Sequence, residues 1–170
     1  LDDDGAGTNS SLAHCVKYAV DNGARVLSNS WGGEGASQLL TEIFHYADNA
    51  GCISIAAAGN DNIDVSGENP ANIDTVIAVA GTDRNDQKSD FSNWGQKIEV
   101  CAPGGDSSDD TPNKIYRNIL SLRASNTDLY GDGICNIGQN YCRARGTSQA
   151  CAFVSGVIAL ILGKNASLSP

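Results

Sequence analysis

Cys52-Ile53-Ser54-Ile55-Ala56-Ala57-Ala58-Gly59-Asn60 is the stretch on which the fold turns. From Cys52 to Ala58 the side chains are apolar or small at odd and even positions alike, so neither face of this strand suits water. A strand buried on both faces belongs to a parallel sheet covered by helices on both sides. Upstream, Leu39, Leu40, Ile43, Phe44 and Ala47 recur at helical spacing from Ser37 onward, and Gly51 closes that segment. Further upstream, Arg25-Val26-Leu27-Ser28-Asn29 reads as another strand. It follows a helix on which Leu12, Val16, Ala19 and Val20 share a face, with Ser10 or Ser11 as its cap and Gly23 just past its end. Downstream, Thr75 to Ala80, Ile98 to Cys101 and Asn118 to Leu122 read as three more strands. The alternation makes the fold class α/β, a parallel sheet with helices on both faces.

In such sheets a site lies beyond the carboxyl ends of the strands. The residues to inspect first are therefore Ser30-Trp31-Gly32-Gly33, Gly59-Asn60-Asp61 and the stretch leading to Gly146-Thr147-Ser148. An amide at a strand end, as at Asn60, donates into a cleft or simply shapes a turn after Gly. Thr147 and Ser148 precede a segment, Ala150 to Leu162, that is nearly apolar all round and is expected to be a helix buried within the domain. A serine in that first turn either caps the helix or sits where unpaired N–H groups and the helix dipole stabilise a developing oxyanion.

The chain has 170 residues, of which 41% are hydrophobic, which suits one globular domain without an internal linker. With 11 Lys and Arg against 20 Asp and Glu the net charge is −9, so no nucleic-acid partner is expected. No membrane span is expected either, since the longest uninterrupted apolar run is Val157 to Leu162. A nucleotide-binding domain is disfavoured, because no phosphate-cradling glycine loop opens a helix after a strand. No C-x2-C pair occurs among the six cysteines, which argues against zinc. Cys135 and Cys142 stand where a bridge would staple a loop if the compartment allowed it, whereas Cys15, Cys52, Cys101 and Cys151 read as small buried residues. Asp2-Asp3-Asp4-Gly5 and Asp128-Leu129-Tyr130-Gly131-Asp132-Gly133 offer hard oxygen ligands near turns, as calcium sites do, without the spacing of an EF-hand loop. The sequons at Asn9 and Asn165 are compatible with a secreted or extracytoplasmic protein.

Five segments now fall in order: Val26 to Gly33, Ala56-Ala57-Ala58-Gly59-Asn60, Phe91-Ser92-Asn93-Trp94-Gly95, Cys101-Ala102-Pro103-Gly104 and Gly146-Thr147-Ser148. Together they resemble the successive signatures of subtilisin-like serine proteases, across the whole chain except an insert at about 126–145. The resemblance implies that Ser148 is the nucleophile and that Asn60, with the backbone N–H of Ser148, forms the oxyanion hole. It further implies that Ser30-Trp31-Gly32 is an edge strand pairing with a peptide or protein substrate in extended conformation. Ala57-Ala58-Gly59 would form another wall of the pocket for the residue before the cut. Asp61 and Glu68 near that pocket either favour Lys or Arg there or are solvated loop carboxylates.

The chain departs from the family at Gln149, Ala152 and Phe153, where Met, Pro and His are usual. The family's aspartate and histidine motifs are not present, and His14 and His45 read as ordinary helix residues, without the Gly-Thr that follows the family's catalytic histidine. A methionine-free chain beginning at Leu1 reads as a processed or excised piece, a single partial peptidase domain over 1–170 whose partner is the amino-terminal part of the same catalytic domain. Alone it is expected to have little or no peptidase activity, because its nucleophile lacks a base. The alternative is a pseudoprotease or peptide-binding module that keeps the cleft without catalysis.

Overall fold

The computed structural model describes residues 6–106, 115–128, 131 and 133–170. Among them the chain runs through α1 (Asn9–Asp21), β1 (Val26–Asn29), β2 (Gly33–Glu34), α2 (Gln38–Asn49), β3 (Ile53–Ala57), β4 (Glu68–Asn69), β5 (Val76–Thr82), β6 (Ile98–Pro103), β7 (Ile119–Leu122), β8 (Asn136–Ile137), β9 (Tyr141–Ala144) and α3 (Thr147–Lys164). Strands β1, β3, β5 and β6 form one parallel sheet in the order β1-β3-β5-β6, as the two-sided apolar character of Cys52 to Ala58 requires. Along β3 the alternation sends Ala56 to one side and Ile55 and Ala57 to the other. Ala56 packs with Ala13, Val16, Leu40 and Phe44 of the α1–α2 layer. Ile55 and Ala57 pack with Ala150 and Cys151 of α3 on the opposite face.

Helix α1 is capped two or three residues earlier than Ser10 or Ser11, by Thr8, whose Oγ accepts the Ser11 N–H at 3.1 Å. Thr8 is the last residue with extended backbone, while Ser10 and Ser11 already lie inside the helix. Ser37 caps α2, its Oγ accepting the Leu40 N–H at 3.3 Å. Replacing Ser37 by alanine is expected to lower unfolding free energy by about 1 kcal/mol in urea denaturation, with no change in the slope of the transition.

Three expectations, for β7, Cys15 and Cys101, are corrected by the tertiary structure. Strand β7 does not join the parallel sheet; it pairs antiparallel with β9, which also pairs with β8, so β7 and two strands of the 126–145 insert build a separate three-stranded sheet. Its Leu120 and Leu122 are exposed, which is why their spacing read as a strand without revealing its partner. No disulfide forms among the described residues. The register pairs Asn136 with Cys142, so Cys135, one residue along, is directed to the other side of the ribbon. Cys52 and Cys151 are buried, but Cys15 and Cys101 are exposed. Cys15 lies on α1 outside the face that Ala13 and Val16 bury.

Helix α3 departs from expectation in the other direction. It buries Ala150, Cys151 and Leu162, yet Val157 is 55% and Leu160 76% exposed, because it rests on one sheet face while α1 and α2 occupy the other. By length and composition α3 is long and apolar enough to cross a membrane, which the short run Val157 to Leu162 concealed because Ser155 and Gly156 interrupt it. In this fold it is the helix that covers β1, β3, β5 and β6.

Candidate active site

The carboxyl end of β1, the carboxyl end of β3 and the first turn of α3 meet at a cavity of about 370 Å³. Ser30, Trp31, Gly32, Ala57, Gly59, Asn60 and Ser148 all line it, together with Thr147, Glu34, Asp61 and Glu68. Ala58 is the exception among the expected wall residues: it is fully buried in the α1–α2 core, and its carbonyl accepts the Asn93 side-chain N–H at 2.9 Å. Period-2 alternation alone turns it away once Ala57 faces the cavity. Ser30-Trp31-Gly32 belongs to no strand, since the nearest ladder begins at Gly33, which pairs with Asn69. Trp31 is held by its ring against Phe44, with centroids 6.1 Å apart.

Ser148 and Ser30 face each other through two long hydrogen bonds. The Ser148 Oγ donates to the Ser30 carbonyl at 3.4 Å, and the Ser30 Oγ donates to the Ser148 carbonyl at 3.1 Å. A backbone carbonyl holds a hydroxyl but does not remove its proton, and the chain's histidines lie exposed on α1 and α2, away from the cavity. The residue at the N-cap of α3 is Gly146, so Thr147 and Ser148 occupy the first two helical positions and neither is the cap. The Ser148 N–H is thus one of the first-turn donors that have no acceptor within the helix.

Gly146 provides no side-chain cap, and Asn60 takes over that role from 87 residues away. Its Oδ1 accepts the Thr147 N–H at 2.8 Å and the Thr147 hydroxyl at 3.1 Å. A backbone N–H only donates, so the carboxamide oxygen must face α3 and Nδ2 is left with no hydrogen-bond partner among the described residues. The Thr147 hydroxyl, fully buried, also accepts the Gly59 N–H at 3.1 Å and so ties both ends of the turn to the helix. Thr147→Val keeps the volume and removes this tie. In the full-length protein it is expected to lower kcat about tenfold, the worth of one hydrogen bond, with a smaller effect on KM.

Asn93, buried, braces the same turn from behind. Its Oδ1 accepts the N–H groups of Asp61 at 3.0 Å and Ile63 at 3.1 Å, and its Nδ2 donates to Ala58. Gly59 has a φ of +101°, and a Cβ there would lie 2.3 Å from Asn93 Nδ2, so only glycine fits between strand and brace. Neither brace was legible in local pattern: Asn93 lies in a segment that looks like a loop, and its partners are about 30 residues away.

The electrostatics of the cavity are one-sided. Glu34 stands directly opposite Glu68 across the two-residue β2–β4 ladder, and Asp61 lines the same space. Glu68 is only 7% exposed, and burial, followed by repulsion from Asp61 and Glu34, pushes its carboxyl above the usual carboxylate range. Among the described residues no Lys or Arg lines the cavity. Among the described residues no group of three or more His, Cys, Asp or Glu is arranged to hold a metal ion. The Asp2 to Gly5 calcium candidate and parts of the 128–133 candidate lie outside the described residues, and Asp128 accepts the Gly133 N–H at 2.8 Å.

Known proteins are similar to the chain in sequence and in fold. The chain is 35% identical to thermitase of Thermoactinomyces vulgaris over 169 residues, covering 99% of the chain and 51% of thermitase. It is 33% identical to subtilisin DY of Bacillus licheniformis over 172 residues, covering 99% of the chain and 54% of that protein. A solved protease from Pseudoalteromonas arctica superimposes with a TM-score of 0.84 at 30% identity, over 97% of this chain and 49% of its own. The chain thus spans about half the length of these relatives. A profile described as the Subtilase family matches residues 1–170 from end to end, and the chain belongs to that family.

Proposed function

We propose that this chain carries the nucleophile and the oxyanion hole of a serine endopeptidase. The observation that carries the reading is the Asn60 carboxamide, fixed by Thr147 beside the helix turn that presents Ser148. Ser148 Oγ attacks the scissile carbonyl, and the tetrahedral oxyanion accepts hydrogen bonds from Asn60 Nδ2 and the Ser148 N–H. The Oγ proton passes to an imidazole base and from it to the leaving amine; water then hydrolyses the acyl-enzyme. That base comes from outside this chain, whose residues 1–170 form one part of the catalytic domain. Substrate lies extended along Ser30-Trp31-Gly32, whose backbone is in no ladder, with Ala57 and Gly59 on the far wall. Thermitase and subtilisin DY, both proteases of this family, support the reading, and export accords with the exposed sequons at Asn9 and Asn165.

A fluorophosphonate probe applied to the full-length protein tests it. The expected adduct maps to Ser148 by peptide mass spectrometry, and residues 1–170 alone label far more slowly because no base is present. A full-length protein that binds extended peptides but takes no label at Ser148 would show the binding module instead.

A further inference from the structure

We infer that the cavity beside Ser148 selects a lysine or arginine side chain at the residue preceding the scissile bond, held by the Glu68 carboxylate. The inference rests on the peptidase reading and adds its substrate class. Glu68 is more than nine-tenths buried and lines the cavity, and while its backbone carbonyl accepts the Asn72 N–H at 2.7 Å, its carboxylate has no hydrogen-bond or ion-pair partner among the described residues. A carboxylate in that position carries a desolvation cost that no described residue offsets. Its ladder neighbour raises the cost, since Glu34 stands directly opposite and like charges across a strand pair are destabilising. Asp61, on the residue after Asn60, adds a third negative group to the same wall.

Position matters as much as charge. A Cβ on Gly59 would lie 3.7 Å from Glu68 Oε2, so the carboxylate sits against the backbone of the residue adjoining Asn60. A side chain entering past Ala57 and Gly59 meets an apolar wall first and the buried carboxylate next. That order suits a long aliphatic stem ending in a cation, as in Lys and Arg. A bare metal ion fits poorly, because the described carboxylates do not gather into a ligand set. The upward push on Glu68 from burial, Asp61 and Glu34 has the sign that an entering cation would reverse.

The test uses full-length protein and peptides identical except for Arg, Lys, Leu, Phe or Glu at the residue before the cut. We expect kcat/KM for Arg and Lys to exceed that for Leu and Phe, and Glu68→Gln to lower the Arg and Lys values roughly 10- to 100-fold while raising the Leu value. Asp61→Asn, which leaves the buried ladder intact, should lower the same Arg-to-Leu ratio by a smaller factor. Equal or better cleavage after Leu or Phe by the unaltered protein, or a Glu68→Gln loss that is uniform across the series, overturns the inference.

A second arm does not depend on the chemistry. Fluorescence anisotropy measures binding of the Arg peptide and of its norleucine analogue to full-length Ser148→Ala protein, with and without Glu68→Gln. Tighter binding of the Arg peptide that disappears in the double variant supports the inference even if no peptide is cleaved, a result that would overturn the peptidase reading alone. Equal binding of the two peptides overturns the inference whatever the cleavage data show.

Discussion

Ser148→Ala in the full-length protein is expected to lower kcat for a peptide substrate by about 10⁶-fold, the magnitude found for the nucleophile of subtilisin, and to leave KM nearly unchanged. The split follows from where the hydroxyl acts. In the ground state Ser148 Oγ holds only the Ser30 carbonyl at 3.4 Å, a contact long enough to contribute little. In the transition state it becomes a covalent bond to the substrate carbon, so its removal is felt almost wholly in kcat. Ser30 is the discriminating control, because its hydroxyl lines the same cavity and yet stands at a strand end rather than in the first turn of a helix. Ser30→Ala should cost far less. A kcat loss below tenfold for Ser148→Ala, or a larger one for Ser30→Ala, would reassign the nucleophile.

The second large effect is expected at Asn60, and here two substitutions separate two roles. Asn60→Ala removes both the Nδ2 donor and the Oδ1 that caps α3 from a distance. It should lower kcat by about 10²–10³-fold, or 2.7–4 kcal/mol, the range found for the oxyanion asparagine of a subtilisin, and also cost about 1 kcal/mol of stability from the lost cap. Asn60→Asp keeps an oxygen for the Thr147 N–H and Oγ but replaces the donor by a second acceptor. Stability should then be largely retained while kcat falls at least as far, because a negative group now faces the developing oxyanion. Steady-state kinetics paired with thermal melting of both variants checks this. An Asn60→Asp protein with near-native kcat would remove Asn60 from the oxyanion hole.

The part of the site that sequence made legible is the part carried by short segments. Asn60 is found at the end of β3 because the strand is apolar to Ala58 and stops at Gly59, and Ser148 because an apolar helix begins just after it. The bracing is not legible that way. Asn93 and Thr147 act across about 30 and 87 residues, and only packing decides which loop an amide or hydroxyl meets. Ala58 was misplaced for a related reason: three consecutive alanines carry no sign of which one faces a cavity, and the β3 register with β1 and β5 decides it.

Periodicity and chain punctuation were enough to establish an α/β fold, its helix–strand order and the two loops that hold Asn60 and Ser148, because burial on one or both faces leaves a mark in the residue pattern itself. Tertiary structure alone decided that β7 leaves the parallel sheet and that α3 covers only one sheet face. It also decided that Glu68 is buried opposite Glu34 beside the cavity. In sequence Glu68 lies near the pocket but reads equally well as a solvated loop carboxylate. Its environment depends on a two-residue ladder between segments more than thirty positions apart, too short to leave any periodic trace.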